Sequence, residues 1–226
     1  MIELKYSEIL RNNAALAKTL PADTYAVALL SNVTVLQLKD VLEYSLRSSG
    51  IPAVVTVGDY DNIVQDSAKF RESQAVVVFW EPCNFIDGLQ YKIELYEPRE
   101  VDAVLDKIKA EIDFVFANVA KTSLVLFNEF TAIPFSRAGD GNRTKLEELC
   151  ARLNAYLRER APRNVKIVDL ERVIARTGAG AAVDMRYFYS SKALYSVDFY
   201  KRYAEHVKSY LRSANGKAKK VIVFDC

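Results

Sequence analysis

Short apolar runs alternate with amphipathic stretches along most of this 226-residue chain. The apolar runs predict strands buried on both faces, over residues 25–31, 53–57, 75–80, 123–128 and 165–168. Helical spacing of apolar positions predicts helices over residues 7–20, 35–49, 99–120, 142–160, 170–177 and 192–212. Strands and helices in alternation predict an α/β fold of three layers, α/β/α, around a mainly parallel five-stranded sheet.

Residues that end helices, and a linker-like stretch near the end of the chain, support this assignment of strands and helices. Pro21 ends the first predicted helix and Gly50 ends the second, since glycine adopts the left-handed conformation without steric cost. The last helix carries an aromatic stripe of Tyr195, Phe199 and Tyr203, for which core packing is favoured over an aromatic substrate cradle. After it, a lysine-rich stretch precedes an apolar run at 221–224. We therefore predict one domain over residues 1–213, and a linker with the first strand of a following domain over 214–226.

Composition narrows the class of protein. Half of the residues are apolar and 27% are charged, which is ordinary for a soluble globular protein. The formal net charge of +2 gives no strong indication of nucleic-acid binding, and for the basic residues between 208 and 220 a solvated helix end and linker is favoured over a nucleic-acid patch, so we expect no nucleic-acid partner. Three cysteines without a CxxC spacing imply no disulfide framework. The sequence shows neither a signal peptide nor an apolar run of membrane-spanning length, so a reducing cytoplasm is the expected compartment.

Candidate functional residues follow the predicted strands. In a parallel sheet the carboxyl ends of the strands meet at one rim, where ligands bind. The polar residues expected there are Ser31 and Asn32, Gly58 and Asp59, Asn84, Asn128, and Asp184, Arg186 and Tyr187 from a late loop. Arg186 suits a carboxylate or phosphate ligand, or it pairs with Asp59 or Asp61 and only holds the rim together.

The order of serine, glycine, asparagine and late aspartate resembles the SGNH-hydrolase family, a flavodoxin-like fold. The resemblance implies that Ser31 is the nucleophile, that Gly58 and either Asn84 or Asn128 form the oxyanion hole, and that Asp184 is the triad acid. Three positions depart from the pattern, since Leu29-Leu30 replaces the family's Gly-Asp and Tyr187 replaces its histidine. Tyrosine, with an ordinary pKa near 10, is a poor general base at neutral pH.

The last residues carry a second resemblance. KKVIVFD, at 219–225, resembles the opening of the first motif of haloacid-dehalogenase phosphatases, with Asp225 as the aspartyl nucleophile. Together with LSNVTVLQLKDVLEYSL, VGDYDN and DMRYFYSSKALYS, it resembles the amino-terminal part of FkbH-like proteins, the subfamily IIIC phosphatase-like enzymes. That resemblance implies an Mg²⁺-dependent domain that dephosphorylates a three-carbon acyl phosphate and helps to load a glyceryl unit onto an acyl carrier protein.

Three hypotheses follow. The first is an SGNH-like accessory domain, cut at the start of its phosphatase domain. It would need no cofactor of its own and would bind an acyl chain, a phosphopantetheine arm or the acyl carrier protein, beside its own C-terminal phosphatase domain. The second is an active esterase or acyltransferase that uses Ser31. The third is a small parallel-sheet binding module unrelated to acyl transfer.

Overall fold

All five predicted strands are present in the computed structural model, which describes residues 1–135 and 141–217. They are β1 (Tyr25–Ser31), β2 (Ala53–Val57), β3 (Ala75–Phe79), β4 (Leu124–Asn128) and β5 (Val165–Val168). All pair in parallel, in the order β2-β1-β3-β4-β5. The predicted parallel five-stranded sheet is therefore confirmed, with strand bounds within one residue of the prediction.

The helices agree less completely with the prediction. They are α1 (Tyr6–Ala17), α2 (Leu36–Arg47), α3 (Ile63–Lys69), α4 (Leu89–Lys92), α5 (Pro98–Asn118), α6 (Lys145–Arg160), α7 (Leu170–Thr177), α8 (Ala179–Ala182), α9 (Met185–Ser191) and α10 (Val197–Ala214). The sequence did not predict α3, α4, α8 or α9, because four to seven residues are too few for a helical period to show. The last long helix begins at Val197 and not at residue 192, because the Ser196 hydroxyl accepts a hydrogen bond from the Phe199 N–H and caps it.

Two apolar cores lie on opposite faces of the sheet. One core joins the sheet to α1, α2 and α7–α10, and the other joins it to α3–α6. In the first core, the Phe79 ring of the central strand lies 5.4 Å from the Tyr203 ring and 5.7 Å from the Tyr195 ring, edge to face. Tyr195 stacks on Phe199 at 4.0 Å. The aromatic stripe is thus part of the core, as the sequence favoured.

The strand order places a crevice between β1 and β3. The chain passes from β1 to β2 on one side and then crosses back to β3 on the other side of β1. The connections that leave the carboxyl ends of β1 and β3 therefore diverge and leave a crevice between them. In open parallel sheets, ligands bind in such a crevice. Ser31 and Asn32 come from β1 at this point, and Glu81 to Asn84 come from β3.

A buried carboxylate ties the first two helices to β2. Glu43 of α2 accepts hydrogen bonds from the Val55 N–H at 3.0 Å and from the Asn13 side chain at 3.1 Å. Arg47, one turn later, lies 3.2 Å from the same carboxylate. Each of these groups is satisfied, so the burial of Glu43 is compensated.

The predicted terminal strand lies outside the described residues, and so does Asp225. The helix α10 continues to Ala214, one residue past the predicted domain boundary. In the two described ranges, no helix combines the length and the apolar character needed to cross a bilayer.

Candidate ligand-binding site

The carboxyl ends of β1 and β3 are joined by a side-chain amide. Asn32, fully buried, donates from its Nδ2 to the Glu81 carbonyl at 2.8 Å and accepts from the Glu81 N–H at 2.8 Å through its Oδ1. This pair of bonds continues the hydrogen bonding of the two strands beyond the ladder. Asn32, predicted to bind substrate, is thus engaged with the protein itself and defines the floor of the crevice.

Ser31, the predicted nucleophile, stands at the end of β1 and is 4% exposed. Its Oγ accepts a hydrogen bond from the Val33 N–H at 3.1 Å. Among the described residues, no histidine, carboxylate or other base accepts its hydroxyl hydrogen. The geometry of an activated serine, in which a base receives that proton, is absent from this part of the chain.

Gly58 leaves room for a buried carboxylate. A Cβ at this position would lie 2.3 Å from Oδ2 of Asp66 and 3.0 Å from Cδ2 of Leu30. The Asp66 carboxylate accepts a hydrogen bond from the Asp59 N–H, and the Gly58 N–H donates to the Leu29 carbonyl at 2.9 Å. Gly58, predicted as an oxyanion donor, therefore has its N–H occupied by the sheet. The Asp59 side chain is exposed and pairs with Lys69 at 3.2 Å.

Asn84 joins the connections that follow β1, β2 and β3. Its Nδ2 lies 3.0 Å from the Asn32 carbonyl and 3.2 Å from the Tyr60 hydroxyl. Asp61 donates its N–H to the Ser31 carbonyl at 3.2 Å and has a left-handed backbone, with φ of 56°. Non-glycine residues adopt this conformation infrequently, and they are enriched at functional sites.

A cavity of about 200 Å³ opens beside this cluster. It is lined by Asp61, Ile63, Val64, Gln65, Trp80, Asn84, Phe85, Lys107 and Glu111. Burial raises the pKa of Asp61 and of Glu111, and Lys107 lowers both. The cavity therefore combines an apolar aromatic wall with amide and charged groups that can orient a small ligand.

The late-loop residues form a cluster of their own. Asp184 caps α9 and binds the Arg186 guanidinium at 3.0 Å, which lowers the pKa of the Asp184 carboxyl. The alternative pairing of Arg186 with Asp59 or Asp61 is therefore wrong. Tyr187 is exposed. No hydrogen bond joins these residues to Ser31 within the described ranges.

Asn128 lies apart from Ser31. In the β1–β3 pairing, Ser31 lies opposite Phe79. In the β3–β4 pairing, Val78 lies opposite Phe127, the residue before Asn128. The two candidates thus flank β3 at two strand spacings, about 10 Å apart. The Asn128 Oδ1 accepts a hydrogen bond from the Tyr203 hydroxyl at 2.8 Å, inside the core.

His206 lies on α10, half-buried. Burial lowers the pKa of His206, and Arg176 and Arg172 lower it further while Asp169 opposes them. These neighbours belong to α7 and to the residue that follows β5, at the far end of the sheet from β1. The structure therefore does not present His206 as the base that Ser31 lacks.

Glu81 is the strongest functional signal that was not selected from the sequence. Its side chain is 1% exposed, and neither carboxyl oxygen has a hydrogen-bond partner among the described residues. Burial raises the pKa of Glu81 to about 8; the nearby Tyr195 hydroxyl lowers it, although the two groups do not meet in ordinary hydrogen-bond geometry. The raised pKa favours the protonated, neutral form of the Glu81 carboxyl at pH 7. An acid directly after the apolar run of β3 was the sequence signal for it.

No family model matches this sequence. No curated protein matches it either. Among solved structures, the fold resembles the N-terminal part of the protein BF1531 from Bacteroides fragilis, which contains a phosphatase domain complexed with Mg. The TM-score is 0.74 and the sequence identity is 14%, and the match covers 96% of this chain and 58% of that one. It also resembles the salicylyl-acyltransferase SsfX3 from a tetracycline biosynthetic pathway, at a TM-score of 0.50 and 13% identity over 86% of this chain and 56% of that one. At these sequence identities the similarity shows the fold alone, which is the flavodoxin-like α/β arrangement expected from the sequence. The chain spans less than two thirds of the length of each neighbour.

The described residues contain no group of three or more His, Cys, Asp or Glu side chains placed to hold a metal ion. The Mg²⁺ that the resemblance implies belongs to the phosphatase domain that would contain Asp225, a residue outside the described ranges.

We predict that Gly58→Ala destabilises the fold by about 1–3 kcal/mol, because the new methyl group displaces the Asp66 carboxylate from the Asp59 N–H. Gly180→Ala is the matched control, since a Cβ there meets nothing within 4 Å and the residue lies in α8. Urea unfolding of both variants measures the difference. Equal midpoints would contradict the role given to Gly58.

We also predict a pH dependence from Glu81. Because its folded pKa is raised, its contribution to stability is complete below pH 4.5 and is lost as pH rises to about 8. Five buried groups interact electrostatically with Glu81, and burial raises the pKa of each, so they stay neutral between pH 4.5 and 8. They are Tyr195, Tyr200, Tyr203, Cys83 and Cys150. Relative to Glu81→Gln, the free energy of unfolding of the wild type should fall with pH by up to about 1.4 kcal/mol per unit. Parallel curves for the two proteins between pH 5 and 8 would refute this.

Proposed function

We propose that this domain binds an acyl group carried on a phosphopantetheine arm, at the crevice between β1 and β3. The observation that carries the proposal is the contrast between Ser31 and its surroundings. Ser31 has no base within the described residues, whereas the adjacent cavity offers free space and mixed polar and aromatic walls. This arrangement favours binding over hydrolysis.

The cavity suits a slender ligand with amide groups. At about 200 Å³ it is smaller than the sites that enclose drug-sized molecules, and it would take one end of an extended chain. Trp80 and Phe85 would contact methylene groups, and Asn84, Gln65 and Lys107 would bond carbonyl oxygens or a phosphate. A pantetheine chain presents these groups in alternation.

The similar folds support an acyl-transfer context. One solved neighbour is named as a salicylyl-acyltransferase, and the other is an N-terminal part that contains a phosphatase domain. We propose that the full protein continues into a phosphatase-like domain with Asp225 as nucleophile and Mg²⁺ as cofactor. In that protein, a glyceryl-type acyl phosphate would be loaded onto an acyl carrier protein. This part rests on the sequence resemblance to FkbH-like proteins.

We predict that the domain binds S-acetylpantetheine or its 4′-phosphate in isothermal titration calorimetry. Lys107→Ala should weaken binding roughly tenfold, because a charge-assisted hydrogen bond is lost. Lys109→Ala is the matched control, since Lys109 lies on the same helix but over the Tyr156 ring and outside the cavity. No measurable binding to the wild type, or equal losses in both variants, would overturn the proposal.

A second candidate function is acyl transfer by Ser31. It is favoured by the position of Ser31 at the carboxyl end of β1, where ligands bind in open parallel sheets. If it holds, the protein hydrolyses p-nitrophenyl acetate and Ser31→Ala abolishes turnover at equal folded concentration. Turnover that is absent, or unchanged in Ser31→Ala, removes this candidate for that substrate class and leaves the binding function.

A further inference from the structure

The cavity of the candidate site has room for one end of an extended ligand, and its lining has two parts of different character. One part is apolar and aromatic. The rings of Trp80 and Phe85, 5% and 9% exposed, meet edge to face with their centroids 5.7 Å apart. The other part contains three ionisable side chains, those of Asp61, Lys107 and Glu111. The balance of charge among these three decides which end of a phosphopantetheine chain the cavity accepts.

The ionisable part of the lining carries more negative than positive charge. Asp61 and Glu111 contribute two carboxylates, and Lys107 contributes one ammonium group. Lys107 lies one turn before Glu111 on α5, 3.9 Å from its carboxylate, and it also acts electrostatically on Asp61. Burial raises the pKa of Glu111, Lys107 lowers it, and the charge of Asp61 raises it again. One lysine is therefore shared between two acids that repel each other.

The backbone that carries the Asp61 carboxylate is anchored to the rim of the sheet. Its N–H donates to the Ser31 carbonyl at 3.2 Å, and its φ of 56° is uncommon for a residue other than glycine. Burial raises the pKa of Asp61, and the side chain of Asn84, which also binds the Asn32 carbonyl at 3.0 Å, lowers it. The same groups that build the crevice between β1 and β3 therefore hold this carboxylate at the cavity.

We propose that Asp61 and Glu111 orient the ligand, so that the acyl end of a phosphopantetheine chain enters the cavity and the phosphate stays outside. The inference rests on the proposed function for the identity of the ligand. The two acids are specificity-determining residues, because they act by repelling the wrong end of the chain. They add to the binding function a preference between two ends that an uncharged cavity of the same shape would lack.

Charge distinguishes the two ends of the chain. A phosphate monoester carries a charge of about −1.5 to −2 at pH 7. Inside the cavity it would face two carboxylates, and a single shared ammonium group does not offset that repulsion together with the lost hydration. A thioester carbonyl is uncharged and accepts hydrogen bonds, for which Lys107 and the Gln65 amide are donors in the lining. The acyl group beyond it would contact Trp80 and Phe85.

Bulk added to either end of the ligand tests the orientation in isothermal titration calorimetry. S-acetyl coenzyme A extends the phosphate end and should bind within about threefold of S-acetylpantetheine, because that end remains in solvent. S-octanoylpantetheine extends the acyl end and should bind at least about tenfold more weakly, because the longer chain does not fit a cavity of about 200 Å³. A loss with S-acetyl coenzyme A, or none with S-octanoylpantetheine, would overturn the orientation and leave the proposed function intact. No binding of S-acetylpantetheine would overturn both.

Competition by inorganic phosphate tests the two acids. In the wild type, millimolar phosphate should leave the Kd of S-acetylpantetheine unchanged. In the double variant Asp61→Asn, Glu111→Gln, no carboxylate opposes Lys107, so phosphate should raise the apparent Kd at least about threefold. Asp106→Asn is the matched control, since Asp106 lies on α5 outside the cavity, and urea unfolding confirms that each variant is folded. Competition in the wild type, or none in the double variant, would overturn the role given to the acids.

Discussion

The pair of hydrogen bonds between Asn32 and the Glu81 backbone is the constraint on which the candidate site depends. The chain leaves β1 and β3 in opposite directions, and this bridge holds their ends together directly beyond the ladder. The same bridge fixes the backbone that carries the Glu81 side chain. The Asn32 carbonyl in turn holds Asn84, which reaches Tyr60 and closes the side towards β2.

Burial separates the acids of this rim into different chemical roles. Asp184 is near the surface and bound to Arg186, so it remains a carboxylate whose charge is already compensated. Glu81 is fully enclosed and pairs with no cation among the described residues, so burial favours its protonated form. Asp61 lies between these extremes, at the edge of a cavity and within the influence of Lys107. The same functional group is thus an ion-pair partner, a hydrogen-bond donor or an adjustable charge, according to its environment.

The sequence predicted the sheet well because each strand is a continuous apolar run, and such runs are typical of strands covered on both faces. It also placed Ser31, Asn32, Gly58 and Asn84 at one rim, since parallel strands end at one edge. It could not reveal that internal partners engage Asn32 and Asn84, because those bonds join residues about fifty positions apart. Lys107 and Glu111 were beyond reach for a similar reason, as charged residues on a long helix whose outward face resembles any solvated surface. The short helices α3 and α9 fell below the length at which periodicity is visible.

The Glu43 carboxylate has a consequence for how copies of this chain behave towards one another. β2 is an edge strand with β1 as its one neighbour in the described sheet, so some of its N–H groups point away from the sheet. Exposed edge N–H groups are templates on which a second molecule can add a strand and begin to aggregate. By accepting the Val55 N–H from within its own chain, Glu43 occupies the middle of that edge. A side chain that anchors two helices therefore also keeps the sheet from growing into its neighbours.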